Sequence, residues 1–177
     1  TRDLIGITRM LFNHKPLTGS WDWSKTWDDN VEAGALPEPT DLLISRLSVA
    51  WIFPLTLYFS YLIGNNLFSK YGGWIILILT TINSLILLHT RRSMAESLLL
   101  SLTVISIYFL INHPRWVGLS ASAVTLAFNA KYSAFPLLIL AIVLIAIEKS
   151  HLIVRLKRLI ALTTIFIFIT FLLNPFL

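Results

Sequence analysis

The sequence predicts an all-α polytopic membrane protein of about six transmembrane helices behind a polar first segment, and three observations carry that prediction. Hydrophobic residues make up 56% of the 177-residue chain and charged residues 13%, and the mean hydropathy is +0.76. A soluble domain carries about 25% charged residues, so about half that fraction cannot cover a globule in water. The apolar residues, finally, fall into long runs separated by short polar breaks. The same figures exclude intrinsic disorder and a disulfide-stapled scaffold. The formal charge of +5 sits between apolar runs, where membrane topology accounts for it, so no nucleic-acid partner is expected. Without cysteine the chain has no thiol chemistry and no cysteine metal site.

The acidic residues divide the chain. Seven of nine lie in residues 1–46, from Asp3 to Asp41, and the rest of the chain holds only Glu96 and Glu148. Residues 1–45 therefore read as an aqueous first loop and residues 46–177 as a bilayer-embedded bundle. The apolar runs are 47–68, 73–88, 97–112, 116–130, 134–147 and 159–173. Several are shorter than the ~20 residues a hydrocarbon core requires, which leaves short spans, polar extensions or re-entrant hairpins open. Trp51, Trp74 and Trp116 lie near run ends, where an amphipathic ring prefers the headgroup layer. Pro54 and Pro136 fall inside runs, where neighbouring groups must satisfy the freed carbonyls. Thr1 is not an initiator methionine and Arg2-Asp3 does not open a signal peptide, so the chain is expected to be cut from something larger, with a transmembrane helix before it.

Six alternating spans sort the breaks onto two sides. One collects Lys70, Arg115, Lys149, Arg155, Lys157 and Arg158; the other collects Arg91, Arg92 and Lys131 together with the long first loop. Six cations against three make the first side cytoplasmic by the positive-inside rule, which discounts long loops. The first loop, Arg91-Arg92, Lys131 and Asn174-Pro175 then share the extracytoplasmic side.

Arg91 and Arg92 run against that bias and call for a reason. A cation at the outer interface can meet lipid phosphate, a structural carboxylate or an anionic substrate, and the planar arginine fork suits phosphate. The structural alternative is concrete: Ser93-Met94-Ala95-Glu96 has the Ser-x-x-Glu form of a capping box, and Arg92 and Glu96 are an i,i+4 pair. Lys131 alone reads equally as a lysine snorkelling to the headgroups. Histidines 14, 89, 113 and 151 lack metal-ligand spacing, so no metal is expected, and His89 lies close enough to Arg91 to support it.

In the first loop, Leu4, Ile5, Ile7, Met10, Leu11 and Phe12 have the spacing of an interfacial amphipathic helix. Trp21, Trp23 and Trp27 interleave with Asp22, Asp28 and Asp29, as a sugar-stacking platform or, more commonly, an interfacial belt or loop core.

Several stretches together resemble the front half of GT-C glycosyltransferases, in particular the superfamily of dolichyl-phosphate-mannose protein mannosyltransferases and their prokaryotic relatives. They are Ser45-Arg46-Leu47-Ser48-Val49, Tyr61 to Phe68, His89 to Ser97, Asn129-Ala130-Lys131-Tyr132-Ser133 and Leu173-Asn174-Pro175-Phe176. Arg91 and Glu96 fit the family's Arg-x4-Asp/Glu spacing at the outer start of a later helix, with Glu for the commoner Asp. The resemblance spans residues 42–177 in pattern order. It implies an enzyme of the GT-C fold that takes a polyprenyl-phosphate sugar from the bilayer and transfers the sugar to an acceptor hydroxyl on the extracytoplasmic side. It requires no divalent metal or other cofactor and leaves the acceptor unspecified. The roles implied are phosphate binding for Arg91, Arg92 and Lys131, and site organisation for Glu96 and His89. The family's acidic base lies just after its first transmembrane helix, which is absent here. Asp3 is the carboxylate nearest that position, but Arg2-Asp3-Leu4 lacks the motif, so the base is expected upstream of this chain. Asn13-His14-Lys15-Pro16-Leu17 is faintly similar to the His-Pro-Pro-Leu of the family's first loop. Two other functions fit the composition: a non-catalytic membrane subunit whose arginines bind anionic lipid or a partner, and a small anion or lipid transporter. The transporter lacks matched inverted repeats.

Overall fold

The computed structural model describes residues 2–13, 21–36, 38–91 and 95–174, and the side chains of all of these except 2–4 and 91. Among them the chain is helical, without a strand. Two helices, α1 (Arg2–Leu11) and α2 (Trp27–Glu32), precede the body. The body runs through α3 (Pro39–Ala50), α4 (Phe53–Leu67), α5 (Lys70–Ile82), α6 (Ser84–Arg91), α7 (Ala95–Asn112), α8 (Val117–Ala130), α9 (Phe135–Ile147) and α10 (Leu152–Leu173).

Three stretches of the described residues are long and apolar enough to cross a membrane: Pro39–Leu67, which joins α3 to α4, then α7, then α10. The pair α5–α6, bent by 61°, makes a fourth if it counts as one span. These long apolar helices fit an integral membrane protein. Runs 116–130 and 134–147 form α8 and α9, 14 and 13 residues long, below the ~20 that a hydrocarbon core requires. The structure therefore supplies three to four spans by length, against six apolar runs in the sequence.

Local chemistry fixes the helix boundaries. Pro54 and Pro136 do not interrupt helices: each lies in a first turn, of α4 and of α9, where the missing N–H has no intrahelical acceptor to lose. Pro39 opens α3 in the same way. Asn83 makes the break between α5 and α6, and its Oδ1 accepts the backbone N–H of Ile86 at 3.0 Å, capping the new helix.

Side-chain pairs give the directions. Thr56 bonds Ser101 and Phe59 stacks on Tyr108, so α4 and α7 run parallel. Ser106 meets Ser120 at 3.0 Å and Glu96 meets Lys131, so α7 and α8 run antiparallel. Asn129 contacts both Thr170 and Asn174, which brings the C-terminal ends of α8 and α10 together. The body thus has two ends. One gathers the start of α3–α4, the junction of α6 with α7, the C-terminus of α8 and the end of α10. The other gathers residues 68–70, 112–117 and 147–158. Trp74 and Trp116 lie at this second end, whereas Trp51 lies in the turn between α3 and α4.

Small residues let the helices approach. The core around α8 is Ala121, Val124, Ala127, Ala141, Ile145 and Leu162. Hydroxyls bridge it: Thr56, Ser101, Ser106 and Ser120 are buried and pair across helices. In lipid, where apolar burial does not drive association, close packing and such hydrogen bonds hold helices together. Large apolar side chains such as Ile75, Leu79, Val143 and Phe171 stand exposed instead, as lipid-facing groups do. A double-mutant cycle of Thr56→Val and Ser101→Ala, read by thermal unfolding in detergent, is expected to give a coupling of about 0.6 kcal/mol. A coupling of zero would remove the Thr56–Ser101 bond from the account.

Candidate functional site

The first end of the body collects the polar groups. Helix α6 brings His89, Thr90 and Arg91 there, and α7 begins with Glu96 and Ser97; Ser97 Oγ donates to Thr90 Oγ1 at 3.5 Å. From the far end of α8, Lys131 reaches back across 35 residues and pairs with the Glu96 carboxylate. Lys131 has an extended backbone because it separates α8 from the 3-10 turn Tyr132–Ala134. Both partners remain partly exposed, at 44% and 36% of their side-chain surface, so the ammonium has donors left for a second acceptor. An ion pair this exposed contributes about 0–1 kcal/mol; its value lies in fixing where the cation sits.

A second polar group backs this pair. Asn129 Nδ2 donates to the Thr125 carbonyl at 2.9 Å and to Thr170 Oγ1 at 3.2 Å, while its Oδ1 accepts from Asn174 Nδ2 at 2.6 Å. The amides thereby hold the end of α10 against the residue two before Lys131. Sequence spacing gives no hint of these contacts, which join residues 41 and 45 positions apart.

Of the residues singled out from sequence, Lys131 and Glu96 come together, and His89 lies within electrostatic reach of Glu96. Arg91 is the last residue of α6, at the same end, and its side chain lies outside the described residues. Arg92, Ser93 and Met94, and with them the expected capping box and the Arg92–Glu96 pair, also lie outside them. So do the side chain of Asp3, which stands in the first turn of α1, and residues 14–17 and 175–177. Among the described residues no three His, Asp or Glu side chains converge as a metal site would need.

The first loop carries its own scaffold. Arg9 of α1 forms an ion pair with Asp41 in the first turn of α3 at 3.1 Å, with side chains 14% and 11% exposed. Neither residue stands out in the sequence, since one lies in an amphipathic helix and the other among many acids. Asn30 is buried and holds both ends of its turn: it accepts from Asp22 N at 2.8 Å and donates to the Asp22 and Thr26 carbonyls, each at 2.9 Å. Trp21 packs edge-on against Trp23 and Trp27, with centroids 6.0 and 5.2 Å apart. Two of the nearby carboxylates, Asp22 and Asp29, are engaged within the loop. Asp22 accepts from the Ser24 hydroxyl and backbone N–H, and Asp29 forms a capping box with Thr26 at the start of α2.

Those hydroxyl bonds, followed by the backbone N–H bonds, hold both carboxyls below the ordinary aspartate value. Their ionised form is favoured in the folded loop, so the stabilisation is complete above the ordinary aspartate pKa and disappears as pH falls through the depressed folded value. Acid titration of the loop, followed by tryptophan fluorescence beside Asp29→Asn, is expected to show the wild-type transition below the free-aspartate range. A transition at the free-aspartate value would contradict the caps.

Compared with known protein families, curated proteins and solved structures, the chain gives no match, and so none of the comparisons identifies the glycosyltransferase family named above.

Proposed function

We propose that this chain forms part of a GT-C-type glycosyltransferase, moving a sugar from a polyprenyl-phosphate carrier to an acceptor hydroxyl at the extracytoplasmic face. The observation that carries the reading is the Glu96–Lys131 pair at the end of the body where α6 delivers Arg91. Cations at a membrane interface that positive-inside topology leaves unexplained are what a departing polyprenyl phosphate needs: fixed positive charge where negative charge develops. In this function Arg91, with Arg92 beside it, binds the donor phosphate, and Lys131 assists. Glu96 holds the lysine in place, and His89 supports the cluster from α6.

The helix directions favour the same membrane arrangement. In this reading α3–α4, α5–α6, α7, α8, α9 and α10 cross in alternation; α3–α4, α7 and α10 have the length of a span, α5–α6 is bent, and α8 and α9 are short. Lys70, Arg115, Lys149, Arg155, Lys157 and Arg158 then share the cytoplasmic side, and the Glu96–Lys131 end faces outward. The absence of cysteine makes a direct test simple. In intact cells, a single cysteine at Ser133 should react with an impermeant maleimide, and one at Lys149 should react only after permeabilisation. The reverse pattern would put the cations on the wrong side for an extracytoplasmic transfer.

A further inference from the structure

The second end of the body holds a feature that sugar transfer does not use. Three buried side-chain donors have no acceptor among the described residues: Asn112 Nδ2, Ser150 Oγ and Arg155 Nε. All three lie at this end: Asn112 ends α7, Ser150 lies in the connection from α9 into α10, and Arg155 follows near the start of α10. A buried donor left unpaired costs about 1–3 kcal/mol, so three at one end are a reason to look for an acceptor that the chain itself does not supply.

The surroundings specify its charge. Arg158 is neutralised by Glu148, with which it forms a half-buried ion pair. Arg155 donates through Nη1 to the Ala146 carbonyl at 2.7 Å, which pins the guanidinium beside the end of α9. Lys149 and Lys157 are exposed on either side. Three cations thus remain without a carboxylate at the N-terminal end of α10, a 22-residue helix whose dipole adds to the same field. Charge and unpaired donors agree on an anion with several acceptor oxygens.

The surface around these cations indicates where the anion comes from. Leu152, Ile153 and Leu156 alternate with the basic residues and are 69%, 68% and 56% exposed, a pattern that places the start of α10 at the boundary between headgroups and acyl chains. A free anion gains nothing from these exposed apolar side chains, whereas a lipid at the same boundary meets them with its acyl chains. We infer that the α9–α10 connection is a binding site for an anionic phospholipid, its phosphodiester taken by Arg155, Ser150 and Lys149 and its acyl chains lying against Leu152, Ile153 and Leu156. The site is at the opposite end from the Glu96–Lys131 pair and does not depend on the transfer function.

The test is lipid retention by native mass spectrometry after extraction of the protein from vesicles of equal phosphatidylglycerol and phosphatidylcholine. Wild type is expected to retain phosphatidylglycerol preferentially. Arg155→Gln should abolish the preference, and Lys149→Gln, an exposed change that leaves the packing intact, should weaken it about fivefold, as loss of one interfacial cation does. Lys70→Gln, at the same end but on another connection, should leave it unchanged. Equal retention of the two lipids, or an undiminished preference in both Arg155→Gln and Lys149→Gln, would overturn the assignment. Displacement of phosphatidylglycerol by millimolar inorganic phosphate would overturn the lipid in favour of the free anion.

Discussion

Gly73→Leu is expected to open the α4–α5 interface and cost about 3 kcal/mol or more, at the upper end for overpacked sites. A Cβ at Gly73 would stand 2.9 Å from the Tyr61 ring and 3.0 Å from the Tyr61 carbonyl oxygen. Across the same contact a Cβ at Gly64 would stand 2.9 Å from the Gly72 carbonyl and 3.0 Å from the Gly73 Cα. Side chains can move aside, but two backbones in contact cannot without separating the helices, and glycine on both faces is what permits the approach. Gly118 provides the contrast, because its Cβ would meet only Ile165 Cδ1 at 3.8 Å, an ordinary contact. Gly118→Ala is therefore expected to melt with the wild type. Trp74 stacks edge-on against Tyr61 at 5.4 Å and gives the measurement a local reporter. Thermal unfolding in detergent, followed by tryptophan fluorescence, should show Gly73→Leu far below wild type. Coincident curves would mean that α4 and α5 do not meet at their glycines.

Reversing the charge of Lys131 should have the largest effect on activity. Lys131→Glu sets two carboxylates against each other at the start of α7 and removes a cation from the proposed phosphate site. A charge placed where the leaving group becomes negative is worth about a hundred- to a thousandfold in rate, whereas the ion pair itself, being exposed, is worth about 0–1 kcal/mol in stability. The two contributions separate in the exchanged protein. Glu96→Lys combined with Lys131→Glu restores opposite charges and should recover the melting temperature, but it moves the cation to another helix and should leave sugar transfer low. Recovery of both would make the pair structural only. Loss of transfer with stability restored is the result expected if the lysine acts on the donor.

Much of the architecture can be read from the apolar runs, and the departures have physical causes. The run 97–112 coincides closely with α7 because its ends are polar. The run 159–173 underestimates α10, which begins at Leu152, because Arg155, Lys157 and Arg158 interrupt the apolar count without interrupting the helix; long basic side chains extend to the interface while their stems stay apolar. The run 73–88 conceals a bend, since one Asn83 among apolar neighbours alters the average little and yet caps a new helix. Pro54 and Pro136 mark helix starts, which hydropathy cannot distinguish from helix interiors. At the candidate site, charges placed against the positive-inside bias pointed to Lys131 and to the α6–α7 junction. The partnership of Lys131 with Glu96, the Asn129–Thr170–Asn174 cluster and the Arg9–Asp41 pair depend on helix packing, and residues more than thirty positions apart leave no local signature.

The central claim is that the cations at the α6–α7 junction hold the phosphate of a polyprenyl-linked sugar. It is tested most directly by sugar transfer from a panel of polyprenyl-phosphate sugars, comparing the full-length protein with its Arg91→Ala variant. The account predicts transfer from at least one donor by the wild type and a loss of about a hundredfold or more in the variant, with the melting temperature unchanged. Undiminished transfer by Arg91→Ala, or no transfer from any donor by the wild type, would contradict it.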